Sequence, residues 1–79
     1  MYQVYIIQSE KNGRYYIGVT ADLNQRLEDH NQNKNRSTKN KGPWKIVHAE
    51  SFTEKSAAWL REKKIKKYKG GEAFRKLLK

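Results

Sequence analysis

The 79-residue sequence predicts one α/β (α+β) domain spanning residues 1–79, with a small, mainly antiparallel three-stranded sheet flanked by helices in the order β-β-α-β-α-α. Three observations predict it. Two β-branched and aromatic runs flank an Asn12-Gly13 turn, Leu23 and Leu27 follow at helical spacing, and an alternating run at 45–52 precedes a stretch with helical apolar spacing.

Residues 2–9, Tyr-Gln-Val-Tyr-Ile-Ile-Gln-Ser, alternate only partly but carry strand residues throughout. Lys11-Asn12-Gly13-Arg14 supplies the turn, because Asn-Gly accepts positive φ at little cost, and Tyr15 to Val19 returns as the second strand. Thr20 or Asp22 can cap a helix running from Asp22 to Asn31. Leu23 and Leu27 share its inner face, and Arg26 and His30, also four apart, share an adjoining edge. Residues 31–42 hold no apolar side chain, which makes them a polar, basic loop. That loop reads either as a connector or as an arm that embraces phosphate. After Pro43-Trp44, residues 45–52 read as a third strand, with Ile46 and His48 on one face and Val47 and Ala49 on the other. Thr53 is the expected N-cap of a helix over 56–68, with Glu54 in its first turn, and Gly70-Gly71 ends it. Residues 72–79 form a short basic helix with Phe74, Leu77 and Leu78 on its apolar side.

Composition narrows the function classes. A chain this short buries only about 60–65% of its unfolded surface, so its core is thin. With no cysteine, disulfides and thiolate metal sites are excluded. No apolar run approaches the roughly 18 residues of a membrane span, and no signal-peptide pattern opens the chain. A reducing, cytoplasmic setting without a membrane partner is the expectation. Lys and Arg total 18 against 8 acidic residues, a net charge of +10. Such a charge repels itself in a compact state and favours a polyanionic partner, nucleic acid above all.

Several side chains carry potential chemistry. Glu62 shares a helical stripe with Ala58 and Ile65, so its carboxylate is either ion-paired with Lys66 or bound to a metal. Tyr5 and Tyr16 lie in paired strands, close to Arg26 and His30 of the following helix. A phenol becomes a general base at neutral pH only with help from neighbouring charge or metal. Gly18 fits a close backbone approach, or a plain turn or bulge. Lys63, Lys64, Lys66, Lys67 and Lys69 crowd one stretch, and Arg36, Lys39 and Lys41 lie in the polar loop. These form either solvated faces or phosphate contacts. Trp44 and Trp59 are expected in the core in preference to stacking on unpaired bases.

The order of these residues resembles the GIY-YIG nuclease signature. Gln3-Val4-Tyr5, Tyr16-Ile17-Gly18, Asp22-Leu23 leading to Arg26-Leu27, and His30-Asn31 follow one another in the pattern's sequence. Tyr5 and Tyr16 are eleven positions apart, Tyr16 and Arg26 ten, and Arg26 and His30 four. Arg36-Ser37-Thr38-Lys39 before Pro43-Trp44-Lys45, and Arg61-Glu62-Lys63-Lys64-Ile65-Lys66, resemble the small stand-alone bacterial branch. The first triplet keeps only its tyrosine, and no asparagine follows Asn40, where some members place one after the metal-binding glutamate.

The resemblance implies a metal-dependent DNA endonuclease acting on branched, nicked or distorted DNA, in repair or recombination. It implies one Mg²⁺ or Mn²⁺ ion held by Glu62, with Tyr5, or else Tyr16, accepting a proton from water. Arg26 would stabilise charge at the scissile phosphate, and His30 would handle protons or contact phosphate. Arg36, Lys39, Lys41, Lys63, Lys66 and Lys67 would bind nucleic acid. The alternative is a catalytically weak or inactive module that binds DNA or RNA on the same fold.

Overall fold

The computed structural model describes residues 1–32, 34, 38–68 and 70–78. Two strands, β1 (Tyr2–Ser9) and β2 (Tyr15–Thr20), precede helix α1 (Leu23–Asn31). Strand β3 (Trp44–Phe52), helix α2 (Lys55–Lys67) and helix α3 (Glu72–Leu77) complete the expected order. The sheet is antiparallel and ordered β2-β1-β3, so β1 is central. None of the described helices is long and apolar enough to cross a membrane.

Helices cover both faces of β1, which explains why its alternation is only partial. Val4 and Ile6 face Ala58, Ile65 and Phe74 of α2 and α3, while Tyr5 and Ile7 pack with Trp44, Leu23 and Leu27 on the α1 side. All four residues from Val4 to Ile7 are therefore buried, the pattern of a strand with no wet face.

The hairpin turns as the sequence suggests, with Gly13 at φ +76°. The buried Ser9 hydroxyl ties that turn to the polar loop. It accepts the amides of Lys11 (3.1 Å) and Asn12 (3.2 Å) and donates to the Lys41 carbonyl. Asp22 is the N-cap of α1, its carboxylate accepting the Gln25 amide at 3.1 Å. Thr20 instead braces Asp22, accepting its amide and donating to its carbonyl, both at 3.1 Å.

Two local expectations are corrected. The N-cap of α2 is Glu54, with no side-chain capping bond, so Thr53 lies outside the helix and Glu54 is not in its first turn. The β3 alternation breaks at a bulge opposite Ile6 and Ile7, where Ile6 pairs with His48 and Ile7 with Ile46. Val47 is the extra residue and joins the Val4–Ile6 cluster, so it does not share a face with Ala49.

Past the bulge, Glu50 fastens α2 to the sheet. Arg61 Nε donates to Glu50 Oε1 at 2.8 Å and Nη2 to Oε2 at 3.0 Å, while His48 Nε2 lies 2.7 Å from Oε2. The Arg61 hydrogen bonds, more than its charge, hold the Glu50 carboxyl below its ordinary 4.5. On the opposite face Asn31 joins α1 to β3. Its Oδ1 accepts the Trp44 amide at 2.6 Å and its Nδ2 donates to the Trp44 carbonyl at 3.3 Å.

Asn31→Ala leaves both Trp44 backbone groups without these partners and is expected to cost about 1–3 kcal/mol in thermal or urea unfolding. Asn31→Asp, which keeps the acceptor, should cost less. Because the folded pKa of Glu50 is depressed, its pairing stabilises the fold above pH 4.5 and loses that effect as pH falls through the folded value. The stability gap between wild type and Glu50→Gln is therefore expected to be largest near neutrality and to shrink in acid. A gap of constant size from pH 7 to 3 would refute the pairing.

Candidate active site

The hairpin register sets the first wall of the site. Tyr5 pairs with Gly18 across β1 and β2, and Ile7 with Tyr16. Tyr5 and Tyr16 thereby lie diagonally on one sheet face, their ring centroids 6.4 Å apart. A Cβ at residue 18 would fall 2.5 Å from the Tyr5 hydroxyl and 2.7 Å from Cζ. Gly18 is thus required by close approach of the Tyr5 ring to the neighbouring backbone, the first of the two roles its sequence context allows.

Helix α1 supplies the second wall. The Asp22 cap fixes where the helix begins, and its pitch then aligns Arg26 with His30. His30 is wholly buried. Its Nε2 is 3.0 Å from the Tyr5 hydroxyl and its Nδ1 is 2.7 Å from Thr38 Oγ1. Its ring also lies 4.9 Å from that of Tyr16, centroid to centroid. Burial holds the imidazole pKa below 6.5, with Arg26 adding to the effect, so the ring is neutral at physiological pH. Burial likewise pushes the Tyr5 phenol above its ordinary 10.0; Tyr16 and Glu62 reinforce that shift and Arg26 opposes it.

Helix α2 supplies the third wall. Glu62, between the fully buried Ala58 and Ile65 on its stripe, keeps 14% of its side chain exposed and pairs with Lys66 at 3.2 Å. The ion pair and the site geometry coexist. Glu62 lines one cleft of ≈ 310 Å³ together with Tyr5, Tyr16, Gly18, Val19, Arg26, Lys55 and Trp59. This cleft opens at the β2 edge, where side chains from the α1 and α2 layers meet. A larger hollow of ≈ 380 Å³, lined by residues such as Arg14, Tyr15, Ile65 and Phe74, contains no acidic group.

Four of the five expected catalytic side chains therefore converge on one concave surface, with His30 directly behind Tyr5. Its complete burial removes direct phosphate contact from the roles open to His30. Sequence reasoning missed Lys55 and misplaced Trp59. Trp44 is in the core at 5% exposure, but Trp59 is 53% exposed and lines the cleft. The signal was present: Trp59 lies one position off the Ala58–Ile65 stripe and in register with Lys55 and Lys63.

The expected nucleic-acid contacts are dispersed. Lys63 Nζ lies 3.8 Å from the Trp59 ring centroid and Lys66 pairs with Glu62, both beside the cleft. Lys64 and Lys67 are exposed on α2, and Lys39 and Lys41 are exposed in the loop that Ser9 ties to the hairpin turn. Arg36 and Lys69 lie outside the described residues.

Among the described residues, no three His, Asp or Glu side chains gather into a metal-binding group. Glu62 still fits a hard divalent cation of the magnesium type. A half-buried carboxylate facing an open cleft leaves most of the shell to water and phosphate oxygens, as such ions prefer.

Gly18→Ala is expected to drive the Tyr5 ring away from β2, shifting the His30 imidazole resonances in NMR spectra and costing about 1–3 kcal/mol of stability. Unchanged His30 resonances would show that the ring had not moved.

Residues 1–74 match the model of the GIY-YIG catalytic domain. A UPF0213 protein of Halobacterium salinarum is 39% identical over 67 residues, covering 84% of this chain and 86% of the relative. A UPF0213 protein of Streptococcus pneumoniae is 34% identical over 67 residues, covering 84% of this chain and 67% of the relative. The solution NMR structure of a UPF0213 protein from Bacillus halodurans superposes with a TM-score of 0.52 at 30% identity, covering 85% of this chain and 72% of that one. With residues 1–74 of its 79 matched by that domain, the chain belongs to the GIY-YIG family of nucleases.

Proposed function

We propose that this protein is a divalent-metal-dependent endonuclease that hydrolyses phosphodiester bonds in DNA, acting on branched, nicked or distorted duplexes during repair or recombination. The observation that carries the reading is the single cleft shared by Tyr5, Tyr16, Arg26 and Glu62, three phosphate-directed chemistries on one concave wall. Its setting is the cytoplasm, where nucleic acid is an abundant partner for a chain of net charge +10.

Glu62 would hold one Mg²⁺ or Mn²⁺ ion, which when bound neutralises charge on the phosphate and on the departing oxygen. The protein's own groups do the rest. Tyr5 begins as a neutral phenol, because burial pushes its pKa up. It serves as a base by handing its own proton to His30 Nε2, 3.0 Å away, while its oxygen takes one from the attacking water. His30 can accept because it is neutral, and the Thr38 hydroxyl at Nδ1 keeps the ring oriented. Arg26 faces the cleft, where its planar guanidinium suits the charge that develops on a phosphoryl group in transition. Lys55 adds a second cation on the opposite wall. Tyr16, in the same cleft and less buried than Tyr5, is the second candidate for the base.

One alternative has a specific observation in its favour. Glu62 is engaged by Lys66, and no asparagine follows Asn40, features that suit a module which binds nucleic acid without cutting it.

Incubation of plasmid, branched DNA and structured RNA with Mg²⁺ or Mn²⁺, beside a Glu62→Ala variant, separates these readings. DNA nicking that disappears in Glu62→Ala is expected. Binding without nicking in either metal selects the module, and preferential RNA binding removes the DNA assignment. Within an active enzyme, Tyr5→Phe and His30→Ala are each expected to lower single-turnover cleavage by about 10²–10⁴-fold while leaving DNA affinity nearly unchanged. A larger loss in Tyr16→Phe than in Tyr5→Phe would move the base to Tyr16.

A further inference from the structure

We infer that Trp59 is a stacking platform for one unpaired base of the DNA, seated beside the phosphate to be cut. The inference rests on the nuclease reading and narrows its substrate to DNA with an unpaired nucleotide next to the cleavage point.

The starting observation is an aromatic ring in the wrong place for stability. This thin core buries Trp44, Phe74 and Tyr5 to 5% exposure or less, yet leaves 53% of Trp59 in solvent. Burying a large apolar ring stabilises a fold, and part of that stabilisation is forgone at this position. Trp59 borders two concavities at once. On one side is the cleft with Glu62, Arg26 and the two tyrosines; on the other is a hollow of ≈ 570 Å³ lined by Lys55, Ser56 and the ring itself.

The ring is also set among cations. Lys55 and Lys63 lie four residues before and four after Trp59, so all three form one column along α2. The Lys63 ammonium is already 3.8 Å from the ring centroid. An aromatic face flanked by ammonium groups is how proteins hold a single strand: the ring stacks on a base while the cations take the neighbouring phosphates. The partner is charge-complementary to a chain of net +10, and the platform is continuous with the wall that carries Glu62. A base inside a duplex has both faces covered by its neighbours and cannot reach the ring. A base in a flap, gap or junction can.

Tryptophan fluorescence reads this contact, since Trp44 is buried. The intact protein, in EDTA to prevent cutting, is titrated with a flapped duplex, a gapped duplex, a fully paired duplex of equal length, and a flapped duplex whose overhang is abasic. The flap and gap are expected to quench the signal and the paired and abasic DNAs to leave it nearly unchanged. Trp59→Ala should weaken flap and gap binding about 10-fold or more and paired-duplex binding less than about two-fold, with Trp59→Phe retaining most of the affinity. Equal losses on every DNA, or an abasic flap bound as tightly as the normal one, would overturn the platform. So would a single-stranded RNA bound about ten times more tightly than the flap. Glu62-dependent cleavage with no Trp59 effect sinks the platform alone. Base-dependent quenching with no cleavage in Mg²⁺ or Mn²⁺ sinks the nuclease reading alone.

Discussion

The contact between the Tyr5 ring and the bare backbone of Gly18 is what the rest of the cleft depends on. Strand register alone places these residues opposite each other, and only the missing Cβ lets the ring lie where its hydroxyl meets His30. Burial then acts on both partners in opposite directions. It makes Tyr5 a poorer acid and His30 a poorer base, so at rest the phenol keeps its proton, the imidazole stays neutral, and the two share a neutral hydrogen bond of 3.0 Å. A phenol in this setting is not a resident phenolate.

The acidic half of the cleft follows a different logic. Glu62 is embedded in a strongly basic chain, and its partner Lys66 is more than half exposed. An i,i+4 pair of this kind is worth only a few tenths of a kcal/mol and is weakened by salt. It orients the carboxylate without holding it against a stronger competitor. The placement of α2 matters more than that pair: the Arg61–Glu50 fork and the buried Ala58 and Ile65 set where the next residue, Glu62, points.

Much of this was legible in the chain. The Asn-Gly turn, the Leu23–Leu27 spacing and the Gly70-Gly71 break report local backbone preferences that the tertiary structure does not contradict. Strand pairing and helical pitch bring the tyrosines near Arg26 and His30, but it was the resemblance of their order to the GIY-YIG signature that singled out this set together with Glu62. What escaped was tertiary in origin. The bulge in β3 arises where the strand must satisfy both Ile6 and Ile7, and residues 45–52 alone carry no mark of it. Thr53 has a capping side chain, but the helix starts one residue later, at a glutamate that makes no capping bond. Trp59 was misassigned because indole rings usually seek the interior, and its one-position offset from the apolar stripe was outweighed by that habit.

The cleft is assembled from two layers that do not share a core. Phenols and guanidinium are fixed by the α1 side of the sheet, whereas the carboxylate, Lys55 and Trp59 ride on a helix whose described anchors are two apolar residues and one charged fork. A shift of α2 relative to the sheet would part Glu62, Lys55 and Trp59 from the tyrosines and Arg26. The relative placement of the two walls is thus set by how α2 packs on Val4 and Ile6 of the central strand.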